Sequence, residues 1–254
     1  AGTAAADHQQ MVGAAEAREG LQQDRDVLFT REAPRIHQYA RVRIDVQPLG
    51  GDETVFHPDR RGRWLRARLN LERQSRVLVY AGRFTDEKNV PVLLQTFARL
   101  GRPYHLLMIG GSRAGRLTAN VTQLPYRRDS VQLAQWLASA DALVHAGTRE
   151  TFGLVILEAM ACGRPVVAVR AGAVPELLDE RIGLLADPND ALSLADAIAA
   201  LYACDLDALG RSARQHVLQH YTWQRVFQHQ LAVYRALLVG GRAAAVQEAV
   251  AEAG

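Results

Sequence analysis

Short apolar runs alternate with amphipathic segments from residue 76 onward, and this alternation constrains the fold more than any other feature. The runs are apolar at nearly every position, which is typical of parallel strands covered on both faces. Strands are predicted at 77–81, 105–109, 121–124, 142–145, 166–169 and 183–185. Helices are predicted over 90–100, 130–138, 154–162, 191–203 and 223–238, with another beginning at Asp205. The pattern predicts an α/β fold, a doubly wound Rossmann-like parallel sheet that binds ligands at the carboxyl ends of its strands.

The rest of the chain is organised around this domain. We expect a tail at 1–47 with short strands at 27–30 and 43–46, a linker at 48–75, the Rossmann-like domain at 76–221 and C-terminal helices at 222–254. The linker is indicated by its proline and glycine residues. No apolar run is long enough to span a bilayer and no signal peptide is recognisable, so we expect a cytoplasmic protein.

The charge balance is mildly basic, with a net charge of +3. Lys88 is the only lysine among the thirty basic residues. This excess fits a phosphate-bearing ligand or an anionic membrane surface, and it is too small and dispersed to indicate nucleic acid binding. One local cluster is interpreted as a solvated helix face beside the linker. It surrounds Trp64 and comprises Arg60, Arg61, Arg63, Arg66 and Arg68.

Two carboxylates, Glu150 and Glu158, are separated by seven residues near the middle of the chain. Glu158 falls in the predicted helix 154–162, which is otherwise apolar and should be buried. A buried ionised carboxylate needs hydrogen-bond donors. Because Leu154 and Glu158 lie on one helix face about 6 Å apart along the axis, an anion held at the helix start would bring its adjoining group to Glu158. Ribose hydroxyls would suit this carboxylate.

A simpler alternative exists for both acids. Glu158 could pair with Arg164 or Arg83, and Glu150 could be an acid favoured only by the helix dipole.

Two cations follow the first strong strand. Arg83 and Lys88 lie at its carboxyl end, where Arg can grip a phosphate through two donors and Lys can act as a compact charge. Together they suit a diphosphate. The alternative is that Lys88 pairs with Asp86 or Glu87 on the loop surface.

Residues of metal-binding type occur in patterns that do not predict a metal site. Asp205 and Asp207 are favoured at a helix start without a metal. His216 and His220 share a helix face but lack a third ligand nearby in sequence. A second acid-x-acid triplet, Asp24 to Asp26, follows no predicted strand.

Several motifs resemble, in order and spacing, the C-terminal nucleotide-sugar-binding half of family 4 (group 1) retaining glycosyltransferases, which have the two-domain GT-B fold. The resemblance extends over residues 77–238, and 46–58 looks like the family's interdomain segment. It departs from the family at Gly51 and at 145–147. The motifs are AGRFTDEKNV, MIGGS, ASADALVHAGTRETFGLVILEAMACGRPVVA and GAVPELL.

The resemblance implies a role for each matching residue. Arg83 and Lys88 would hold the donor diphosphate and offset the charge of the leaving group, and Glu150 would contact donor-sugar hydroxyls; these three are the expected catalytic residues. Glu158 would bind ribose. The donor site would be completed by Gly82, by Leu124 and Tyr126 near the base, by the backbone of Phe152 and Gly153 at the sugar, and by the Leu154 amide at a phosphate.

The resemblance also implies the reaction. A hexose would pass from a nucleoside-diphosphate sugar to a sugar, lipid or small-molecule acceptor, with retention of configuration and without a metal or further cofactor. Two such halves need upward of roughly 300 residues, so the acceptor domain is expected to be missing or reduced to a remnant at 1–47. The chain would then bind nucleotide but transfer sugar poorly unless an N-terminal domain or a second chain completes it.

Two alternatives stay open. One is a non-catalytic nucleotide-sugar-binding module that needs a partner, and the other is a sugar-nucleotide epimerase on the same fold. The glycosyltransferase and both alternatives are compatible with contact to a membrane surface, because the chain has a net positive charge.

Overall fold

A computed structural model of the chain describes residues 48–111, 117–125 and 129–252, with side chains up to residue 238 in the last helix. Six parallel strands form one sheet in the order β3-β2-β1-β4-β5-β6. The order reverses direction between β1 and β4, which makes that point the switch of a doubly wound sheet. The strands are β1 Arg76–Ala81, β2 Tyr104–Ile109, β3 Val121–Leu124, β4 Ala142–His145, β5 Val166–Val169 and β6 Gly183–Ala186. The predicted α/β fold is confirmed, whereas the tail at 1–47 and its two expected strands lie outside the described residues.

Helices cover both faces of the sheet. Two short 3-10 helices, Pro58–Arg60 and Asp86–Lys88, accompany the α-helices. The α-helices are α1 Trp64–Arg68, α2 Val90–Leu100, α3 Ser130–Ser139, α4 Leu154–Ala161, α5 Val174–Leu177, α6 Ala191–Leu201, α7 Leu206–His220 and α8 Trp223–Glu252.

Alternate residues of β1 point into two separate buried clusters. Val77 and Val79 pack in the cluster that contains α3, α4 and α7. Leu78 and Tyr80 pack in the cluster that contains α2 and α6. Since each face of the strand is covered, every position of β1 after Arg76 is buried, which explains why the strands read as continuous apolar runs.

Two helix ends differ from the prediction by more than one residue. The helix predicted over 191–203 ends at Leu201, because the amides of Ala203 and Cys204 bond three residues back in a tightened last turn. The last helix begins after Thr222 as predicted, with the Arg225 amide bonding to the threonine hydroxyl at 3.3 Å. It then continues to Glu252 without ending near residue 238, since the alanine-rich stretch that follows has high helix propensity.

The segment 48–75 contains α1, and this helix packs on the domain. Leu65 is 1% exposed and belongs to the core. The Arg66 guanidinium donates to both carboxylate oxygens of Asp141 at 2.8 Å and to the carbonyl of Ser75. The interpretation of this basic cluster as a solvated face is therefore wrong for Arg66, which ties α1 to the start of β4. The predicted domain boundaries stay predictions.

Candidate functional site

A cleft of about 220 Å³ opens at the switch point of the sheet, at the carboxyl ends of β1 and β2. The ends of the two strands form one wall, and the first turns of α4 form the other. The lining residues are Ala81, Gly82, Ile109, Leu133, Leu154, Val155 and Glu158. Three of the predicted donor-site residues, Gly82, Leu154 and Glu158, are therefore brought together.

Close approach of two glycines shapes the strand end of this cleft. Gly110 has φ +122°, and a Cβ built on it would lie 2.2 Å from the carbonyl oxygen of Gly82. Neither the backbone conformation nor the space allows a side chain there. A glycine at 110 is thus required to keep the loop after β2 against the loop after β1.

The helix α4 begins directly at the cleft. Gly153 precedes it with φ +92°, and the first helical bonds run from the amides of Ile156 and Leu157 back to the Gly153 carbonyl. The Leu154 amide comes before these bonds, so it is one of the groups that a helix start offers to an anion. Leu154 itself is 44% exposed. The expectation that this helix is buried all round is therefore wrong for Leu154 and Val155, which line the cleft.

Glu158 stands on the cleft wall. Within the described residues its carboxylate has neither a hydrogen bond nor an ion pair, and burial raises its pKa to about 7. Arg83 pairs instead with Glu87 at 3.3 Å, and the buried Nε of Arg164 has no hydrogen-bond partner among the described residues. The alternative in which Arg83 or Arg164 satisfies Glu158 is therefore contradicted.

Glu150 has the opposite environment, because two basic side chains converge on one of its oxygens. The Lys88 ammonium forms an ion pair with Oε2, and Nε2 of His145 lies 3.1 Å from the same atom. The three side chains are nearly enclosed, with exposed fractions of 18% for Lys88, 12% for Glu150 and 1% for His145. The alternative that Lys88 pairs with Asp86 or Glu87 is wrong.

The His145 ring is oriented by its own loop. Its Nδ1 accepts a hydrogen bond from the Gly147 amide at 3.3 Å, which leaves the ring proton on Nε2, facing Glu150. The Nε2 contact is short, yet its angle does not meet hydrogen-bond geometry, so we treat it as a close polar contact. The pKa of Glu150 is lowered to about 2, with the His145 imidazole as the largest cause and Lys88 as a further one. Burial acts in the opposite direction. Glu150 is thus held ionised, whereas Glu158 titrates near neutrality.

Three loops hold the backbone around Glu150. The Thr148 amide donates to the Glu87 carbonyl at 3.1 Å, and the Ala173 amide donates to the Glu150 carbonyl at 2.9 Å. Gly172 has φ +55°, and a Cβ on it would lie 2.4 Å from the Glu150 oxygen. Sequence reasoning missed His145 and Gly172. The strand position of His145 and the turn at Gly172 were visible, but nothing in the sequence indicated that both meet Glu150.

Among the other predicted residues, Arg83, Leu124 and Phe152 do not line the cleft. The Arg83 side chain is 75% exposed, and its carbonyl accepts a hydrogen bond from the Tyr80 hydroxyl at 2.6 Å. Leu124 ends β3, where its carbonyl accepts from the Gly110 amide at 3.1 Å. The Phe152 ring packs edge-on against Tyr221 with centroids 6.2 Å apart. Tyr126 lies outside the described residues, and the ligand contacts of all these residues stay predictions.

The residues of metal-binding type have other local roles. Asp205 caps α7 by accepting from the Ala208 amide at 2.9 Å, and Asp207 lies 3.6 Å from Arg61. The rings of His216 and His220 are 4.9 Å apart. Within the described residues no three His, Cys, Asp or Glu side chains are grouped so that they could hold a metal ion, and the triplet at Asp24 lies outside them.

Comparison with known proteins identifies relatives of this domain. The profile of the family described as Glycosyl transferases group 1 matches residues 75–204, a little over half of the chain. A D-inositol 3-phosphate glycosyltransferase from Arthrobacter sp. is 37% identical over 212 residues, which are 76% of this chain and 50% of that protein. A GDP-mannose-dependent alpha-(1-6)-phosphatidylinositol dimannoside mannosyltransferase from Mycobacterium tuberculosis is 33% identical over 79% of this chain and 54% of its own length.

Comparison with solved structures agrees with the comparison of sequences. Sucrose-phosphate synthase from Thermosynechococcus elongatus superposes with a TM-score of 0.66 at 30% identity, covering 76% of this chain and 52% of that one. The chain thus spans about half the length of the proteins it matches, as the GT-B resemblance implied for a single half. The family match, the switch-point cleft and the sheet order together show that the chain belongs to the group 1 glycosyltransferases.

Proposed function

We propose that this chain is the donor-binding half of a glycosyltransferase that transfers a hexose from a nucleoside-diphosphate sugar to an acceptor. The unpaired Glu158 carboxylate in the cleft carries this proposal. A partly buried carboxylate without donors is costly, and a ligand with two vicinal hydroxyls would supply the missing hydrogen bonds. Ribose is such a ligand.

The neighbouring groups support a diphosphate next to that ribose. The start of α4 offers the Leu154 amide and the positive end of the helix dipole one turn from Glu158. Arg83 is exposed beside the cleft and its pairing with Glu87 leaves several guanidinium donors available. Lys88 is bound to Glu150 in the free chain, so a phosphate would share or displace that contact.

The proposed chemistry rests on the charge of the departing group. The bond between the anomeric carbon and the diphosphate oxygen breaks, the bond to the acceptor oxygen forms on the same face of the sugar, and the proton of the acceptor hydroxyl passes to the departing diphosphate. Arg83, Lys88 and the helix start would stabilise the negative charge that develops on the diphosphate. These fixed cations would perform the role that a metal ion has in other sugar transfers, and we therefore propose a metal-independent reaction. Glu150, ionised at neutral pH, would accept hydrogen bonds from hydroxyls of the hexose.

The acceptor is proposed from the relatives. Two of them are named for transfer to inositol phosphate or to a phosphatidylinositol mannoside, so an inositol phosphate is the first acceptor to test. Because the chain spans about half of those relatives, we propose that transfer by the chain alone is slow.

A binding and product assay tests this proposal. UDP, GDP and ADP sugars are titrated into the chain by calorimetry, and products are then analysed with and without inositol phosphate. We expect one nucleotide to bind and new glycoside to form only with acceptor. Product without acceptor would indicate an epimerase instead, and tight binding that never yields glycoside, even with a candidate acceptor-binding half added, would indicate a non-catalytic module. Absence of binding to all three nucleotides would contradict the donor site itself.

A further inference from the structure

His145 carries a donor beside Glu150 that the ion pair with Lys88 leaves unused. Its Nε2 lies 3.1 Å from Oε2 of Glu150, the same oxygen that the Lys88 ammonium contacts. The angle falls short of hydrogen-bond geometry, and this buried Nε2 has no hydrogen-bond partner among the described residues. A buried donor without an acceptor costs free energy. A second arrangement in which this hydrogen bond is completed would recover that cost.

The loop after β4 fixes the imidazole in this position. His145 is the last residue of β4 and its side chain is 1% exposed. Its Nδ1 accepts a hydrogen bond from the Gly147 amide at 3.3 Å, which directs the other ring nitrogen toward Glu150. A Cβ built on Gly147 would lie 2.6 Å from Cε1 of the ring, so the glycine leaves room for the imidazole. Both residues belong to 145–147, where the chain departs from the family motifs.

The carboxylate of Glu150 would be left with a cost if Lys88 alone held it. Its side chain is 12% exposed, so little water can replace the ammonium when Lys88 turns toward a ligand. Removal of one partner from an enclosed ion pair leaves a charge without compensation, which is strongly unfavourable. The N–H of His145 already faces the oxygen that Lys88 would leave, and a small rotation of either side chain completes the hydrogen bond.

We propose that His145 is a positioning residue that holds Glu150 when Lys88 moves to the diphosphate. The inference rests on the proposed donor site. In the free chain Lys88 neutralises Glu150; in the bound chain the imidazole N–H holds the carboxylate, and the ammonium becomes available to the phosphates. The neutral imidazole suffices as the donor, and His145 acts through Glu150 and Lys88 without contact to the nucleotide.

Calorimetry with UDP, GDP and ADP, each compared with its monophosphate, tests this inference. His145→Leu removes the donor, so we expect the diphosphate to bind at least about tenfold more weakly. The monophosphate should lose less, because the added phosphate is the group that Lys88 is proposed to bind. His145→Gln places an amide donor near the position of Nε2 and should restore the diphosphate affinity to within about threefold of wild type.

Two further variants separate the donor from the packing of the ring. His145→Asn keeps an acceptor for the Gly147 amide but is too short to reach Glu150, so it should behave like His145→Leu. His105 offers the matched control, since it is also a buried strand histidine, 4% exposed. It lies near the amino end of β2 with its Nε2 2.9 Å from the Thr122 hydroxyl. His105→Leu should leave the ratio of diphosphate to monophosphate affinity unchanged.

The single lysine of the chain gives a second readout. When lysine is labelled with ¹³C, one set of side-chain NMR signals reports on Lys88 alone. Saturating diphosphate should shift these signals in wild type, in His145→Gln and in His105→Leu. The shift should be smaller in His145→Leu and His145→Asn, where Lys88 stays with Glu150. A role of His145 in folding alone would not produce this difference.

The outcomes distinguish this inference from the donor site itself. Circular dichroism first establishes which variants are folded, and His145→Asn decides if His145→Leu is not. Suppose the wild type binds a diphosphate but its lysine signals do not move, or the variants lose both nucleotides equally, or His145→Gln restores nothing. His145 then does not release Lys88, although the donor site stands. If the wild type binds none of the nucleotides, the proposed function fails and this inference fails with it.

Discussion

Lys88 and Glu150 form a largely enclosed ion pair that joins the loop after β1 to the loop after β4. The two residues are 62 positions apart, and the pair spans the switch point of the sheet. A single lysine in an arginine-rich chain thus has a defined structural partner, and the same ammonium lies at the edge where the diphosphate is proposed to bind.

Substitution of Lys88 should weaken binding of diphosphates more than that of monophosphates. Lys88→Ala removes a charge-assisted contact, so we expect a loss of about 1.5–3 kcal/mol for the nucleoside diphosphate and a smaller loss for the monophosphate. Isothermal titration calorimetry measures both. Arg102→Gln, which removes an exposed cation outside the cleft, is the control and should leave both affinities unchanged. Equal losses for the two ligands would contradict the assignment.

Glu158 should make stability depend on pH in a direction opposite to the usual one for acids. Its pKa is about 7 in the folded chain, above the value of about 4.3 expected when unfolded. The folded state therefore binds more protons between these values, and stability falls as pH rises from about 4.3 to 7. Glu158→Gln removes this penalty and should be more stable than wild type above pH 7, by up to about 4 kcal/mol.

Urea denaturation of the two proteins at pH 5 and pH 8 checks this expectation. The difference between wild type and variant isolates Glu158 from the other titrating groups, including Glu150. A difference that does not change between the two pH values would show that Glu158 titrates like an exposed acid.

Nucleotide binding should be coupled to release of a proton from Glu158. Hydrogen bonds from ribose hydroxyls favour the ionised carboxylate and lower its pKa, so binding should release up to about half a proton at pH 7 and up to about 0.9 proton at pH 6. Calorimetry in two buffers of different ionisation enthalpy measures this number directly. Glu158→Gln should abolish this contribution, whereas Asp196→Asn, which neutralises an exposed acid on α6, should leave it intact.

Gly172 should be required for the position of Glu150. Gly172→Ala combines a left-handed backbone with a Cβ that would lie 2.4 Å from the Glu150 carbonyl oxygen. Gly101 is the matched control, since it has a similar φ of +57° and nothing within 4 Å of its Cβ. Gly101 has ψ −156°, so Gly101→Ala should cost about 1–3 kcal/mol for the backbone conformation alone, and Gly172→Ala should cost about 1–3 kcal/mol more for the overlap.

The Gly172→Ala variant should also bind the nucleotide sugar more weakly than the nucleotide, because Glu150 is proposed to contact the sugar. Thermal unfolding and calorimetry check the two parts. Equal destabilisation by the two glycine substitutions would mean that the loop relaxes around the added methyl group.

The sequence predicted the sheet well because buried parallel strands are apolar at every position. All six strands were located, and α2 matched its predicted ends. Contacts between distant loops were not predictable in the same way. Nothing local to His145 or Gly172 indicates that they meet Glu150, and the partner of Lys88 was sought among its sequence neighbours.

Long side chains and helix ends account for the other differences between the prediction and the structure. Arg66 was read as solvated because its neighbours are basic, yet Asp141, its partner, is 75 residues away. Leu154 was expected to be buried from its helix's composition, although its position at the helix start opens it to the cleft. The motif resemblance predicted Glu158 in the donor site, and its contact with a ribose stays a prediction.

A double-mutant cycle between Glu158 and the ribose tests the central claim most directly. Calorimetry compares the best-binding nucleoside diphosphate with its 2′-deoxy and 3′-deoxy analogues, on wild type and Glu158→Gln. We predict that the loss of at least one hydroxyl costs the wild type about 1.5–3 kcal/mol, and costs the variant much less because the carboxylate is already gone. If each deoxy analogue loses the same affinity on both proteins, Glu158 does not contact the ribose and the proposed donor site is wrong.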